Sequence, residues 1–380
     1  MNGFNKNIIL FLALISIGVA IWYLGKIKEQ PAAVKNEEAK EIKIAPARES
    51  DAVRIAKKEK IYERAKEITT PDGFINTDGI SISDLIGKKV ILLDIWTYSC
   101  INCQRTLPYV KSWWDKYKDQ GLEIIGLHTP EFDFEKKYEN VLAAVKKFGI
   151  AYPVVLDNDY STWQAYKNQY WPRKYLIDID GFVVYDHIGE GGYAVTENQI
   201  QEALKERMAV LNVDGNLAKN LEKIPVVSES KEVRVGSPET YFGAFRNEYL
   251  GNGTKKSVGM QSFVAPAEAK INTLYLVGDW DIQNEFAENK SKAAKIIFRY
   301  QSKEVYFVAS SDAGATIKIL RDGKPLSAEA GADIQKDGSS TAFIKNDQLY
   351  KLIQDSSYGE HTLEIIIENP GLRAFTFTFG

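Results

Sequence analysis

The chain has 380 residues, 44% hydrophobic and 26% charged, enough for two packed domains with further segments. A net charge of −3 offers no basic surface for nucleic acid. Two cysteines leave no second pair for a disulfide framework, and three histidines scattered at 128, 187 and 361 give no zinc-site spacing.

Taken from the N-terminus, residues 8–24 form an apolar run of about 17 residues, the short end for a membrane-spanning helix. A cleaved signal peptide is the alternative, with Gly18-Val19-Ala20 as its small-residue site, but apolar residues continue past it. The expectation is an uncleaved anchor, residues 1–25. Residues 26–49 are rich in Lys, Glu and Ala and read as a solvated spacer. Ser50 and Asp51 are placed to cap a charged stalk helix running to Ile68, so residues 26–70 are expected to be linker and stalk.

From residue 71 the pattern is α/β. Residues 90–96 are a continuous apolar run, as in a buried central strand, interrupted by Asp94. The C-x-x-C follows and opens a helix to Lys118 that Pro108 should kink. Strands are expected at 122–127 and 154–156, and helices at 135–148, ended by Gly149, and at 160–168. Residues 174–187 read as a hairpin turning at Asp180-Gly181, and 197–210 as a closing helix. Strands alternating with helices give a sheet covered on both faces, over residues 71–212.

After a polar join at 213–235, residues 236–380 read as β. Residues 374–379 alternate, as do Leu363, Ile365 and Ile367, and Asp322-Gly323 marks a hairpin. The expectation is an all-β antiparallel sandwich, jelly-roll-like, with its own core. Trp280, Tyr241, Tyr249 and Tyr300 are candidates for an aromatic sugar-binding face, against the plainer reading that most fill the core.

The chemistry concentrates at Cys100 and Cys103. A C-x-x-C loop closes too little chain to add much as a crosslink. Cys100 should stand at a helix N-terminus, where unpaired N–H groups favour a thiolate, the species that attacks disulfides. Cys103, one turn further in, is placed to resolve a mixed disulfide. Ile101 and Asn102 between them carry no charge. A thiol peroxidase using Cys100 is a rival, since Thr97 precedes it by three residues, but Leu93 stands where the pattern P-x-x-x-T-x-x-C wants proline. Asp94, inside an apolar strand, should have a raised pKa and could deprotonate Cys103; a strand-edge aspartate is the alternative. His128 and Glu131 border the edge where such sheets bind ligands and are candidates for tuning Cys100. Trp171-Pro172 precedes the hairpin, and a cis bond there would not be expected from sequence statistics.

D-I-W-T-Y-S-C-I-N-C-Q-R-T-L-P (94–108) resembles the thioredoxin-like domain of the DipZ family, among the TlpA-like thiol–disulfide oxidoreductases. The resemblance continues through G-L-H-T-P-E-F (126–132), N-Q-Y-W-P-R-K-Y-L-I-D (168–178), G-E-G-G-Y (189–193), G-S-P-E-T-Y-F-G (236–243) and the terminal A-F-T-F-T-F-G. It implies that Cys100 is the nucleophile and Cys103 the resolving thiol, that Asp94 is the buried acid and Trp96 the active-site tryptophan, and that Pro172 is a cis-proline beside Trp171. It implies a carbohydrate-binding-module-like C-terminal domain, with a glycan as a candidate ligand. It further implies work outside the cytoplasm, so with residues 8–24 as the anchor the expectation is a single-pass protein of the cytoplasmic membrane, its catalytic domain facing outward to the periplasm or cell surface. Members usually carry a CcdA-type multi-helix domain; with one apolar run here, a separate CcdA-type electron donor is expected. Protein thiols and disulfides are the expected substrates, reduced or isomerised, with no cofactor and no metal. A scaffold whose β domain binds a glycan or partner is the alternative from another class.

Overall fold

The computed structural model describes residues 50–213 and 236–380, except residue 336. The expected anchor and spacer, and residues 214–235 of the polar join, lie outside the described residues. Ala52–Gly380 form one compact unit. No helix among the described residues is long and apolar enough to cross a membrane.

The unit opens on α1 (Asp51–Lys58). The expected stalk helix to Ile68 is not formed. α1 stops at Lys58, and Ala65 and Ile68 pack instead against one face of the sheet. Its cations explain the docking: Arg54 bonds both oxygens of Asp180, and Lys58 reaches Asp178, Asp180 and Glu206. The charges of the expected stalk helix are thus met by an acidic turn and by the helix Tyr193–Leu211, both far away in sequence.

Next come β1 (Gly73–Ile75), α2 (Ile82–Leu85), β2 (Val90–Trp96), α3 (Ile101–Tyr117), β3 (Leu122–His128), α4 (Tyr138–Phe148), β4 (Val154–Leu156), α5 (Ser161–Ala165), β5 (Arg173–Ile177), β6 (Val183–Ile188) and α6 (Tyr193–Leu211). The strands order as β1-β4-β3-β2-β5-β6, with β4, β3 and β2 parallel and β1, β5 and β6 antiparallel to their neighbours. Pro108 sits inside α3 without ending it. Gly149 ends α4 in the left-handed conformation that its missing Cβ permits.

β2 lies in the middle, all seven residues buried. Its period of two sorts the side chains. Val90, Leu92 and Trp96 join the core under α3, α4 and α6, while Ile91, Leu93 and Ile95 join the core on the other face. Asp94 is in phase with the first set and points toward α3.

The C-terminal region comprises β7 (Thr240–Tyr241), β8 (Gly259–Phe263), β9 (Leu274–Ile282), β10 (Ala287–Asn289), β11 (Ala294–Ser310), β12 (Ala315–Arg321), β13 (Lys324–Pro325), β14 (Thr341–Ile344), β15 (Gln348–Ile367) and β16 (Arg373–Phe379). Every pairing between these strands is antiparallel, as expected, but the pairings join all ten into one sheet rather than two separate ones. The cause is the length of β11 and β15, which stay paired through register shifts and carry the sheet around its core.

That core is not wholly independent. Along β11, Val305, Phe307 and Ala309 enter the β core, while Tyr306 and Val308 enter the core of the α/β region. The clean alternation read over 374–379 also breaks. A register shift opposite Val308 and Ala309 leaves Phe375 bulged, and its ring enters the α/β core while Phe377 and Phe379 enter the β core. Phe375 meets Phe134 edge-on at 4.8 Å and Phe132 at 5.2 Å.

Candidate redox site

The parallel strands and the start of β5 bring four loops to one sheet edge. Ile95 opposes Arg173, so Pro172 and Trp171 continue beside Trp96 and Thr97. Trp96 opposes His128, whose strand leads into the segment 129–136. Every sequence candidate at the C-x-x-C, with Asp94, Trp96, His128, Glu131, Trp171 and Pro172, therefore belongs to this edge or the strand ends just beneath it.

Cys100 is the N-cap of α3, extended in φ and ψ, and the Cys103 backbone N–H donates to its Sγ at 3.4 Å. Both cysteines are free thiols; Cys100 is 8% exposed and Cys103 1%. Burial pushes the Cys103 thiol well up, helped by the neighbouring Cys100 sulfur and by Asp94.

Asp94 is buried, not at an edge. Burial raises its carboxyl to about 6, opposed by Lys174. Lys174 is its cross-strand partner and equally buried, with Nζ 3.9 Å from Asp94 Oδ1. Burial lowers the Lys174 ammonium, while Asp94, Cys103 and Glu190 hold it up. Tyr152, fully buried, lies in the electrostatic reach of both Asp94 and Cys103. Gly126 opposes Asp94 on β3, where a Cβ would press on Trp96 and Tyr152 at 3.0 Å; glycine lets both rings close over the acid.

Trp96 is buried and stands edge-on to His128 at 5.2 Å. His128 stacks on Tyr98 at 5.7 Å and meets Thr97 Oγ1 at 3.4 Å. Burial pushes its imidazole down to about 3, so it is neutral and acts as a packed wall of the turn. Glu131 does not face the cysteines. Its Oε1 accepts from Tyr241 at 2.8 Å and Arg246 at 2.7 Å, tying it to the C-terminal region. Trp171 donates from Nε1 to the Thr129 carbonyl at 2.9 Å, and its bond to the buried Pro172 is cis.

Residues 61–186 match the family described as AhpC/TSA family, and 237–380 the one described as thioredoxin like C-terminal domain. Over 324 residues the chain is 36% identical to Protein DipZ of Mycobacterium bovis, covering 82% of this chain and 43% of that protein. It thus spans less than half the length of that relative. Over 127 residues it is 35% identical to the thiol-disulfide oxidoreductase ResA of Bacillus thuringiensis, covering 33% of this chain and 68% of ResA. The chain belongs to the thioredoxin-like thiol–disulfide oxidoreductases. The thiol-disulfide oxidoreductase YkuV of Bacillus subtilis is 26% identical over 147 residues, 39% of this chain and 98% of YkuV.

In this oxidoreductase, two residues near the dithiol escaped the sequence reading. Lys174 was merely the first residue of a hairpin strand; its signal was a lysine among apolar neighbours, opposite an acid in the same plight. Glu135 was merely a helix start, and it begins no α-helix: it lies in a 3-10 turn before α4. It is fully buried, and its contacts reach Ser99. Of the four aromatics proposed for sugar binding, Trp280 and Tyr300 are core, Tyr241 is held by Glu131, and Tyr249 is exposed.

Proposed function

We propose that this chain is a membrane-anchored, extracytoplasmic thiol–disulfide oxidoreductase working in the reducing or isomerising direction on protein disulfides, anchored by residues 8–24. The observation that carries the reading is the asymmetry of the dithiol. Cys100 caps α3 with a backbone N–H on its sulfur, while Cys103 is enclosed one turn in, above a buried acid.

Cys100 Sγ, as thiolate, attacks a substrate disulfide; one substrate sulfur leaves, and a Cys100–substrate disulfide forms. Cys103 then passes its proton to the Asp94 carboxylate and attacks Cys100 Sγ. The second substrate sulfur departs as a thiolate, the Cys100–Cys103 disulfide remains, and two electrons have moved to the substrate. Asp94 suits the role: burial holds the Cys103 proton tightly, and a carboxyl near 6 is ionised at pH 7 yet basic enough to take it. Trp171 and Pro172 would border the bound substrate strand, and Trp96 backs the site. A dithiol donor must return the electrons; a membrane protein of the CcdA type is the fitting class. Buried anions beside the sulfurs disfavour the reduced thiolate, which lowers the potential and supports the reducing direction. The peroxidase alternative loses ground because Leu93 stands where its pattern wants proline, and the Thr97 hydroxyl contacts His128 and Glu135.

The test is trapping. Cys103→Ser should accumulate covalent complexes with reducible substrates, and Cys100→Ser should trap none and show no insulin reduction. Trapping by the Cys100 variant, or by neither, would overturn the assigned roles.

A further inference from the structure

The Glu135 carboxylate is enclosed with donors on both oxygens. Oε1 accepts from the Ser99 backbone N–H at 3.1 Å and the Ser99 hydroxyl at 2.7 Å. Oε2 accepts from the backbone N–H groups of Glu131 at 2.6 Å and Phe132 at 3.1 Å. Each oxygen meets a fixed backbone N–H, an arrangement that favours the ionised form, while burial raises the carboxyl to about 7. Two of these bonds hold the residue immediately before Cys100. The other two fold the 131–135 segment back on itself, so the acid staples the loop after β3 to the turn after β2.

We propose that Glu135 is a positioning residue for the redox pair: its carboxylate fixes the turn that presents Cys100, and its buried charge sets the dithiol–disulfide equilibrium toward the disulfide. The proposal rests on the oxidoreductase reading of Cys100 and Cys103. Reduction of the disulfide places negative charge on sulfur, and an anion in the same water-excluded site opposes it. These hydrogen bonds, with one from the Thr97 hydroxyl, oppose the rise from burial, so the carboxyl carries its charge above about pH 7.

The test measures the equilibrium constant of the full chain against a glutathione or dithiothreitol buffer at pH 8, where the carboxyl is ionised, alongside thermal unfolding. Glu135→Gln should move the constant about tenfold toward the dithiol, equal to about 30 mV less negative. Ser99→Ala, which removes one donor and leaves the backbone in place, should move it the same way by less, and keeps the test open should the Gln variant not fold. Glu135→Asp, which keeps the charge, should stay nearer the wild type than Gln does. If the Gln and Ala variants lower the unfolding temperature while leaving the constant unchanged, or shift it toward the disulfide, the proposal is overturned. Absence of any reversible couple in the wild type would instead remove the oxidoreductase reading itself.

Discussion

Asp94 and Lys174 are a buried pair whose proposed part in the resolving step comes at the expense of stability. Asp94 titrates near 6 in the fold against an ordinary value of 3.8. A carboxyl whose pKa rises on folding binds more protons in the native state between those values, so the fold loses stability as pH climbs from about 4 to about 6. Two units correspond to about 3 kcal/mol. Asp94→Asn should therefore gain stability relative to wild type across that window, as read by urea unfolding at pH 4, 5, 6 and 7; a difference that does not grow with pH would show that Asp94 is not titrating there. The same variant should slow release of Cys100-linked mixed disulfides at pH 7, with the defect shrinking in alkali, where Cys103 ionises unaided. Equal slowing at every pH would assign Asp94 a packing role. Lys174→Met removes the counter-charge that holds the Asp94 carboxyl down, so the pH profile of the same step should move to higher pH. An unmoved profile with lower stability would mean that the ammonium only fills space.

Among the elements, α1 and β16 behave differently from what local pattern suggests, and both are testable. α1 was legible as a charged helix, but its length was not. Lys58 meets three carboxylates on the turn after β5 and on α6, and that local charge balance ends the helix's independence. Lys58→Met leaves Asp178, whose side chain is fully enclosed, without its cation. The expected loss is about 3–5 kcal/mol in equilibrium unfolding; a loss below about 1 kcal/mol would make α1 a surface attachment. β16 presented a simple period of two, and a bulge redirected one ring. Phe375→Ala should cost about 3–5 kcal/mol, whereas a change near zero would mean that Phe132 and Phe134 close up without it.

At the scale of the whole molecule, the two regions share side chains rather than merely touching. Tyr306, Val308, Leu349 and Phe375 from the β region complete the core that contains Cys100 and Cys103. Arg105, two residues past Cys103, pairs with Glu304 at 3.0 Å, and the Tyr98 hydroxyl donates to the Asp347 carbonyl at 3.2 Å. Residues 236–380 contain a cluster of their own and also lend Tyr306, Val308, Leu349 and Phe375 to the α/β core. The full chain should unfold in one cooperative transition, and residues 50–213 alone should expose Tyr98, Phe132 and Phe134 and bind a hydrophobic dye. Two separate transitions, matched by the isolated regions, would show that the shared contacts do not couple them.

The succession of strands and helices along the chain around the dithiol and the placing of Cys100 at a helix start were legible in the sequence, because each depends on local signals. The apolar run 90–96, short and rich in β-branched residues, reads as a buried strand, and a cysteine pair one turn apart at its end needs no distant residue to be recognised. The partners of Asp94 and Ser99 were not legible. Lys174 lies eighty residues from Asp94 and Glu135 thirty-six from Ser99, and nothing in either neighbourhood states which face of which strand will meet. Strand register and a single bulge decide that, and they are settled only when both cores close together. Tertiary structure therefore decided which charges surround the dithiol, because the cost of burying each is offset by a partner that the chain brings from elsewhere.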